Sequence, residues 1–195
     1  MLRRRVMMKG RLPEHTVDLG LPSGLLWSTV NLGGNKETDF GLYFSYGNVD
    51  GHEVGSYSFT SENYSQTSGY NLLGDIPTNS TYDAAVAMLG DGWRIPTMAD
   101  FGELIRNCTK EWTSDYQGSG IAGAVFTSNL NGNKIFFAGS GYSNGTIREG
   151  ATAYLRESTY NGNGYTARIN ADNSDCDFSY ANNFTGIPIR PVFDK

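Results

Sequence analysis

Residues 150–190 read GATAYLRESTYNGNGYTARINADNSDCDFSYANNFTGIPIR, and this stretch decides the fold. It is crowded with Asn, Tyr, Asp, Ser and Thr, then ends on an apolar IPIRPVF. Residues 153–157, 165–170 and 187–192 have strand character and are separated by Asn/Gly/Asp-rich turn chemistry. That predicts the end of a β meander. The composition also points to recognition: Tyr supplies rigid contact area, while Asn, Ser and Gly supply adaptable hydrogen bonds. From Ser158 to Arg190 there is no Lys, Glu, Gln, Met or Trp, types of which an ordinary surface segment carries several.

Moving towards the N-terminus, residues 124–128 and 134–138 form a second hairpin about Asn131-Gly132-Asn133, with a further strand opening at residues 139–142. Before them comes a helical region. Thr97 is a good N-cap, with Asp100 in the first turn, and Phe101, Leu104 and Ile105 share one face of a helix over residues 98–108. A shorter helix is predicted over residues 82–89, capped by Ser80 or Thr81 and ended by Gly90. Residues 92–97 give a short buried strand and turn. Residues 50–82 have little periodicity and read as long irregular loops. Residues 39–47, DFGLYFSYG, read as a buried strand or turn with Tyr43, Phe44 and Tyr46 inward. Residues 15–31 read as a hairpin about Pro22-Ser23-Gly24, with Trp27 a core anchor. Helices in the first half and strands in the second give an α+β domain, two helices packed on a β meander with long loops. It would span residues 15–195, behind a loose basic arm at residues 1–14.

The chain has 195 residues and a net charge of −5, which argues against nucleic acid as a partner. Its 25 glycines, 13% aromatic and only 18% charged residues suit a turn-rich β protein. No apolar h-region follows the basic N-terminus and no run reaches transmembrane length, so neither a signal peptide nor membrane insertion is expected.

No constellation for catalysis stands out. Cys108 and Cys176 lack CxxC partners, and His15 and His52 sit in unrelated contexts. Whether the two cysteines pair is open. Asn170, Asp172, Asn173, Asp175 and Asp177 offer oxygens for calcium, but their spacing is not that of an EF-hand loop, and acids in such loops are usually solvated. No cofactor or metal is assigned.

Five segments together carry a resemblance. They are VDLGLPSGLLWSTVNLG (residues 17–33), FGLYFSYG (40–47), DGWRIPTMADFGELIRNC (91–108), NGNKIFFAGSGY (131–142) and GIPIRPV (186–192). In this order they resemble the major-paralogous-domain proteins of Bacteroidetes and Fibrobacter. The resemblance implies a C-type-lectin-like fold related to formylglycine-generating enzymes. Where that family often has YWSST and GFSVRPV, this chain has YLREST (154–159) and GIPIRPV. Ser158, Thr159, Gly186 and Arg190-Pro191-Val192 are kept while the residues between are altered. That pattern resembles the variable proteins of diversity-generating retroelements, in which adenines of a template are mutagenised on copying into the gene. AAY codons randomised at both adenines become NNY, which cannot encode Lys, Glu, Gln, Met or Trp. Those are the five types missing from Ser158 to Arg190.

The resemblance implies a non-enzymatic binding protein on a phage particle or bacterial surface, with a protein, glycan or cell-surface ligand, and a homo-oligomer as one arrangement. The ligand surface would comprise Tyr154, Arg156, Glu157, Tyr160, Asn161, Asn163, Tyr165, Asn170, Asp172, Asn173, Asp175, Asp177, Phe178, Tyr180, Asn182, Asn183 and Phe184. For each tyrosine the competing reading is ordinary half-buried packing. The alternatives for the whole chain are a non-varied structural or display module of the same fold and, more weakly, a formylglycine-generating type of enzyme. The enzyme would need a cysteine pair in its active site.

Overall fold

Helix nucleation is encoded locally at Thr97. Its hydroxyl accepts from the Asp100 N–H at 3.2 Å, and the Asp100 carboxylate accepts from the Thr97 N–H at 2.7 Å. Such a reciprocal box satisfies two N–H groups that a helix start otherwise leaves open. Arg94 fixes the same carboxylate at 2.6 Å and reaches Asp194 at 3.1 Å. The structure, a computed structural model, describes residues 13–144, 150, 152–162 and 165–195, with the side chains of residues 165–170 excluded. Most of the expected basic arm therefore lies outside the described residues.

The elements in chain order are β1 (Thr16–Asp18), β2 (Leu26–Ser28), β3 (Tyr43–Phe44), α1 (Ser61–Tyr64), α2 (Ala84–Leu89), β4 (Trp93–Arg94) and α3 (Met98–Asn107). They continue with β5 (Cys108–Thr113), β6 (Gly123–Ser128), β7 (Lys134–Ala138), β8 (Thr152–Gly162), β9 (Tyr165–Asp172), β10 (Cys176–Asn182), β11 (Ile187–Pro188) and β12 (Val192–Phe193). The chain is a mixed α+β protein built on several small antiparallel sheets.

Most expected elements are present, but residues 176–182 add an unexpected strand, β10, and four further details differ. Helix α2 is capped by Asp83, not by Ser80 or Thr81: one oxygen accepts from Ala85 N at 2.9 Å, the other from Ile95 N at 3.3 Å. Helix α3 stops at Asn107, and Cys108 opens β5, which pairs with β6 from Cys108↔Ser128 to Thr113↔Gly123. Residues 139–142 form no strand, although Gly139 N donates to Ala122 O at 2.8 Å and Gly141 N to Thr152 O at 2.9 Å; an isolated bridge follows at Ser143↔Gly186. The long loop over residues 50–82 contains α1 and a 3-10 turn at Ser68–Asn71.

The C-terminal strand β12 lies between β2 and β4, so the end of the chain closes the sheet begun by the first hairpin. β11 pairs with β3 through Ile187↔Phe44 and Pro188↔Tyr43. Two cores result. In the first, Trp27 packs on Phe101 and Phe137 at ring distances of 5.0 and 6.2 Å, with Leu104, Phe126, Leu155 and Val192 around them. The second gathers Phe44, Tyr46, Ile76, Trp93 and Ile189. Truncating an anchor such as Trp27 costs about 3–5 kcal/mol in comparable sites.

Candidate ligand-binding surface

The sheet β8–β9–β10 carries the candidate residues, and its register sorts them by face. Ala153, Ala171 and Cys176 stand in one cross-strand row, and Leu155 and Phe178 belong to the next row on that face. These side chains belong to the first core or pack against it. Because side chains alternate along a strand, Tyr154 and Asp177, in the row between, project from the opposite face. There Tyr154 meets Tyr142 edge-on, with ring centroids 5.1 Å apart.

A bulge in β8 breaks this alternation. The register jumps between Arg156↔Arg168 and Tyr160↔Thr166, so residues 157–159 face a single residue of β9. Extra residues of this kind re-aim side chains. Arg156, Glu157 and Ser158 are all buried, so both faces of β8 are covered here. The bulge is fastened on both sides. Ser158 N donates to Pro96 O at 2.9 Å, Ser158 O accepts from Ile76 N at 2.8 Å and from the Tyr46 hydroxyl at 2.6 Å, and Thr159 Oγ1 accepts from Met98 N at 3.2 Å.

Arg156 and Glu157 are therefore corrected: neither is a surface contact. Arg156 is 0% exposed, donates to Thr185 O at 2.6 Å and lies 5.8 Å from the Tyr46 ring centre. Glu157 is also fully buried, and neither carboxyl oxygen has a hydrogen-bond partner among the described residues. Burial, reinforced by the Asp100 carboxylate, pushes its pKa up to about 8. Asn183 is a third correction, since it is buried, with its carbonyl accepting from Tyr46 N at 2.8 Å. Phe178 packs against the first core and Tyr160 against the second, with the Tyr160 ring 6.0 Å from Tyr46.

Asp172 is committed to its own turn. Its Oδ1 accepts from Ser174 N, Ser174 Oγ and Asp175 N at 2.8, 2.8 and 2.9 Å. These bonds hold its carboxyl below the usual carboxylate range. Lys110 Nζ donates to the Asp172 and Asp175 carbonyls at 2.5 and 2.8 Å, tying the turn to β5.

The exposed candidates are Asn161, Asn173, Asp175, Asp177 and Tyr180, while Tyr154, Asn182 and Phe184 are half-buried. They do not form one cluster. Asn173 and Asp175 sit at the 172–175 turn, whereas Tyr160, Asn161, Tyr180 and Asn182 gather at the other end of the sheet, about 20 Å away at roughly 3.3 Å per residue. Asn163 lies outside the described residues, as do the side chains of Tyr165 and Asn170.

The structure adds neighbours that the sequence did not single out. Asp75 Oδ1 accepts from Tyr160 N at 2.7 Å, placing the loop that bears Tyr70 and Leu73 beside the tip of β8. Tyr142 is similarly brought to Tyr154. The only local signal for either was aromatic content in a loop. The cysteines are both free, and burial pushes the Cys108 thiol up to about 11 and the Cys176 thiol up to about 12. No family model, curated protein or solved structure matches the chain.

Proposed function

We propose that the chain is a non-enzymatic binding protein with a C-type-lectin-like fold, whose β8–β10 region is diversified by a retroelement to vary its specificity. The observation that carries this reading is a stretch of limited composition held in a structural frame. No Lys, Glu, Gln, Met or Trp occurs from Ser158 to Asp194, a stretch that opens at Ser158 and includes Arg190. Ser158 is fastened to three neighbouring segments by the bonds given above. Arg190, fully buried, donates to Asn31 Oδ1, Ser28 O and Phe136 O at 2.8, 3.2 and 3.1 Å. Between these two fixed points lie the exposed side chains of Asn161, of the 172–175 turn and of β10. Such a scaffold lets side chains change while the backbone stays in place. Cys108 is buried and Cys176 half-buried, and burial pushes both thiols up, away from the thiolate that a reactive cysteine needs.

Sequencing the locus tests the reading. The expected finding is a near-identical repeat of the segment encoding residues 158–190, differing at template adenines and lying beside a reverse transcriptase gene. A locus without the repeat would sink the diversification and leave a non-varied module of the same fold.

A further inference from the structure

Between Lys36 and Arg94 the chain carries eight acidic residues and no lysine or arginine. Four of these acids, Asp50, Glu53, Glu62 and Asp75, are solvent-exposed within residues 50–75. The same span holds three of the exposed large hydrophobic side chains: Val54 at 43%, Tyr70 at 52% and Leu73 at 83% exposure. Scattered exposed apolar residues are common on proteins. Here they share one segment with a single sign of charge, and much of that segment is pinned by local contacts.

Those contacts are specific. Tyr70 stands edge-on to Tyr64 at 5.7 Å, and the Tyr64 hydroxyl lies within hydrogen-bond distance of Tyr46 O and Gly69 O, at 2.9 and 2.8 Å. Tyr57 stacks on His52 at 3.9 Å and meets Phe59 edge-on. Asn63 Nδ2 donates to Ser58 O at 2.8 Å, and Thr60 caps α1. Tyr70, an anchor already packed in the free protein, loses little entropy on binding. The surface is also continuous with the tip of β8, through Asp75 to Tyr160 N and Ile76 N to Ser158 O at 2.8 Å.

Resting on the binding-protein reading, we propose that residues 50–75, with Tyr160 and Asn161, dock a cationic segment of a partner protein that also carries apolar side chains. Lysine or arginine on the partner would face Glu53, Glu62 and Asp75, and its apolar side chains would cover Leu73 and Tyr70. An unbalanced acidic field steers such a segment and repels anionic polymers and anionic membranes. This surface lies mostly outside the 158–190 window, so it supplies a constant contact next to a changing one.

The test is calorimetric titration of the intact chain with two short, end-blocked peptides, one alternating lysine and leucine, the other glutamate and leucine. The lysine peptide should bind, with affinity falling on the order of tenfold between low and high salt as screening shortens the field. The glutamate peptide should not. Glu53→Lys with Glu62→Lys should weaken binding on the order of tenfold, and Leu73→Ser should also weaken it, each with an unchanged melting temperature. Glu111→Lys, at an exposed position on β5, matches the charge change of either single substitution and should have little effect, whereas Glu53→Lys alone and Glu62→Lys alone should each weaken binding. No binding of the lysine peptide, equal binding of both peptides, or an equal loss from Glu111→Lys overturns the proposal. The locus test is independent of all three outcomes, so diversification can fail while this surface stands, and the reverse.

Discussion

Glu157 should make the fold lose stability as the solution becomes more alkaline, and replacing it with Gln should remove that loss. Its carboxyl is buried without a hydrogen-bond partner among the described residues, and burial and the nearby Asp100 carboxylate raise its pKa from 4.5 to about 8. Between those two values the folded chain holds a proton that the unfolded chain has released. Stability therefore falls with rising pH, fully present below 4.5 and lost progressively until the pH passes about 8. At about 1.4 kcal/mol per pH unit, the whole span is about 5 kcal/mol. A loss of that size is a large part of the total stability of a typical domain. Glu157→Gln keeps the shape but cannot ionise. The assay is urea denaturation of both proteins at pH 5, 7 and 9. Other titrating groups cancel in the difference between the two curves. The variant should gain on the natural protein from pH 5 to pH 9 by several kcal/mol, starting from equal or slightly lower stability because the buried amide also lacks partners. Parallel pH profiles would refute the burial of an unpartnered acid at this position.

Other perturbations separate frame from surface. Arg190→Ala leaves Asn31 Oδ1 and the Ser28 and Phe136 carbonyls without their buried donor. It should cost roughly 3–5 kcal/mol in chemical denaturation. Asp83→Ala removes the α2 cap and the bond to Ile95 N. About 2 kcal/mol should be lost, seen as an earlier unfolding midpoint. Tyr180→Ala, at an exposed position, should change stability by less than about 0.5 kcal/mol. Tyr160→Ala strips a ring from the second core, so a similarly small change there would contradict its packing against Tyr46.

What the sequence disclosed depended on how local each signal was. Helix α3 was legible because Thr97, Asp100, Phe101 and Leu104 lie within two turns of one another and agree. The β6–β7 hairpin was legible through Asn131-Gly132, with Gly132 at φ 78° where a side chain would be strained. Strand β10 was not. CDFSYAN carries Asp, Ser and Asn, which read as loop, and it is a strand because β9 supplies a full ladder from Cys176↔Ala171 to Asn182↔Tyr165. Strand β5 was hidden in the same way by its partner β6. Arg156 and Glu157 looked like surface charges because charged residues usually are. Arg156 is in regular register with Arg168 and is buried because Tyr46 and Thr185 cover its face, and Glu157 lies in the bulge; both are long-range features that no local signal carries. The Asp172 side chain was legible as turn chemistry but was read as a ligand contact, since nothing local said that its oxygens were already engaged.

Burial also changes the weight of the missing residue types. Within residues 158–190 the buried positions include Ala171, Ala181, Thr185, Ile187, Ile189 and Arg190. Lys, Glu and Gln would be rare at such places in any protein. Their absence carries information only at exposed positions such as Asn161, Asn173, Asp175, Asp177 and Tyr180, where they are normally common. If the segment is diversified, the same division predicts where functional copies differ. Changes should collect at residues 161, 173, 175, 177 and 180, which touch solvent. They should avoid Ala171 and Ala181, where a larger side chain has no room, and Asp172, whose carboxylate closes the turn with three hydrogen bonds. Comparing the gene with copies recovered from related strains reads this directly. Substitutions spread evenly over buried and exposed positions would break the link between the codon-limited window and a ligand surface.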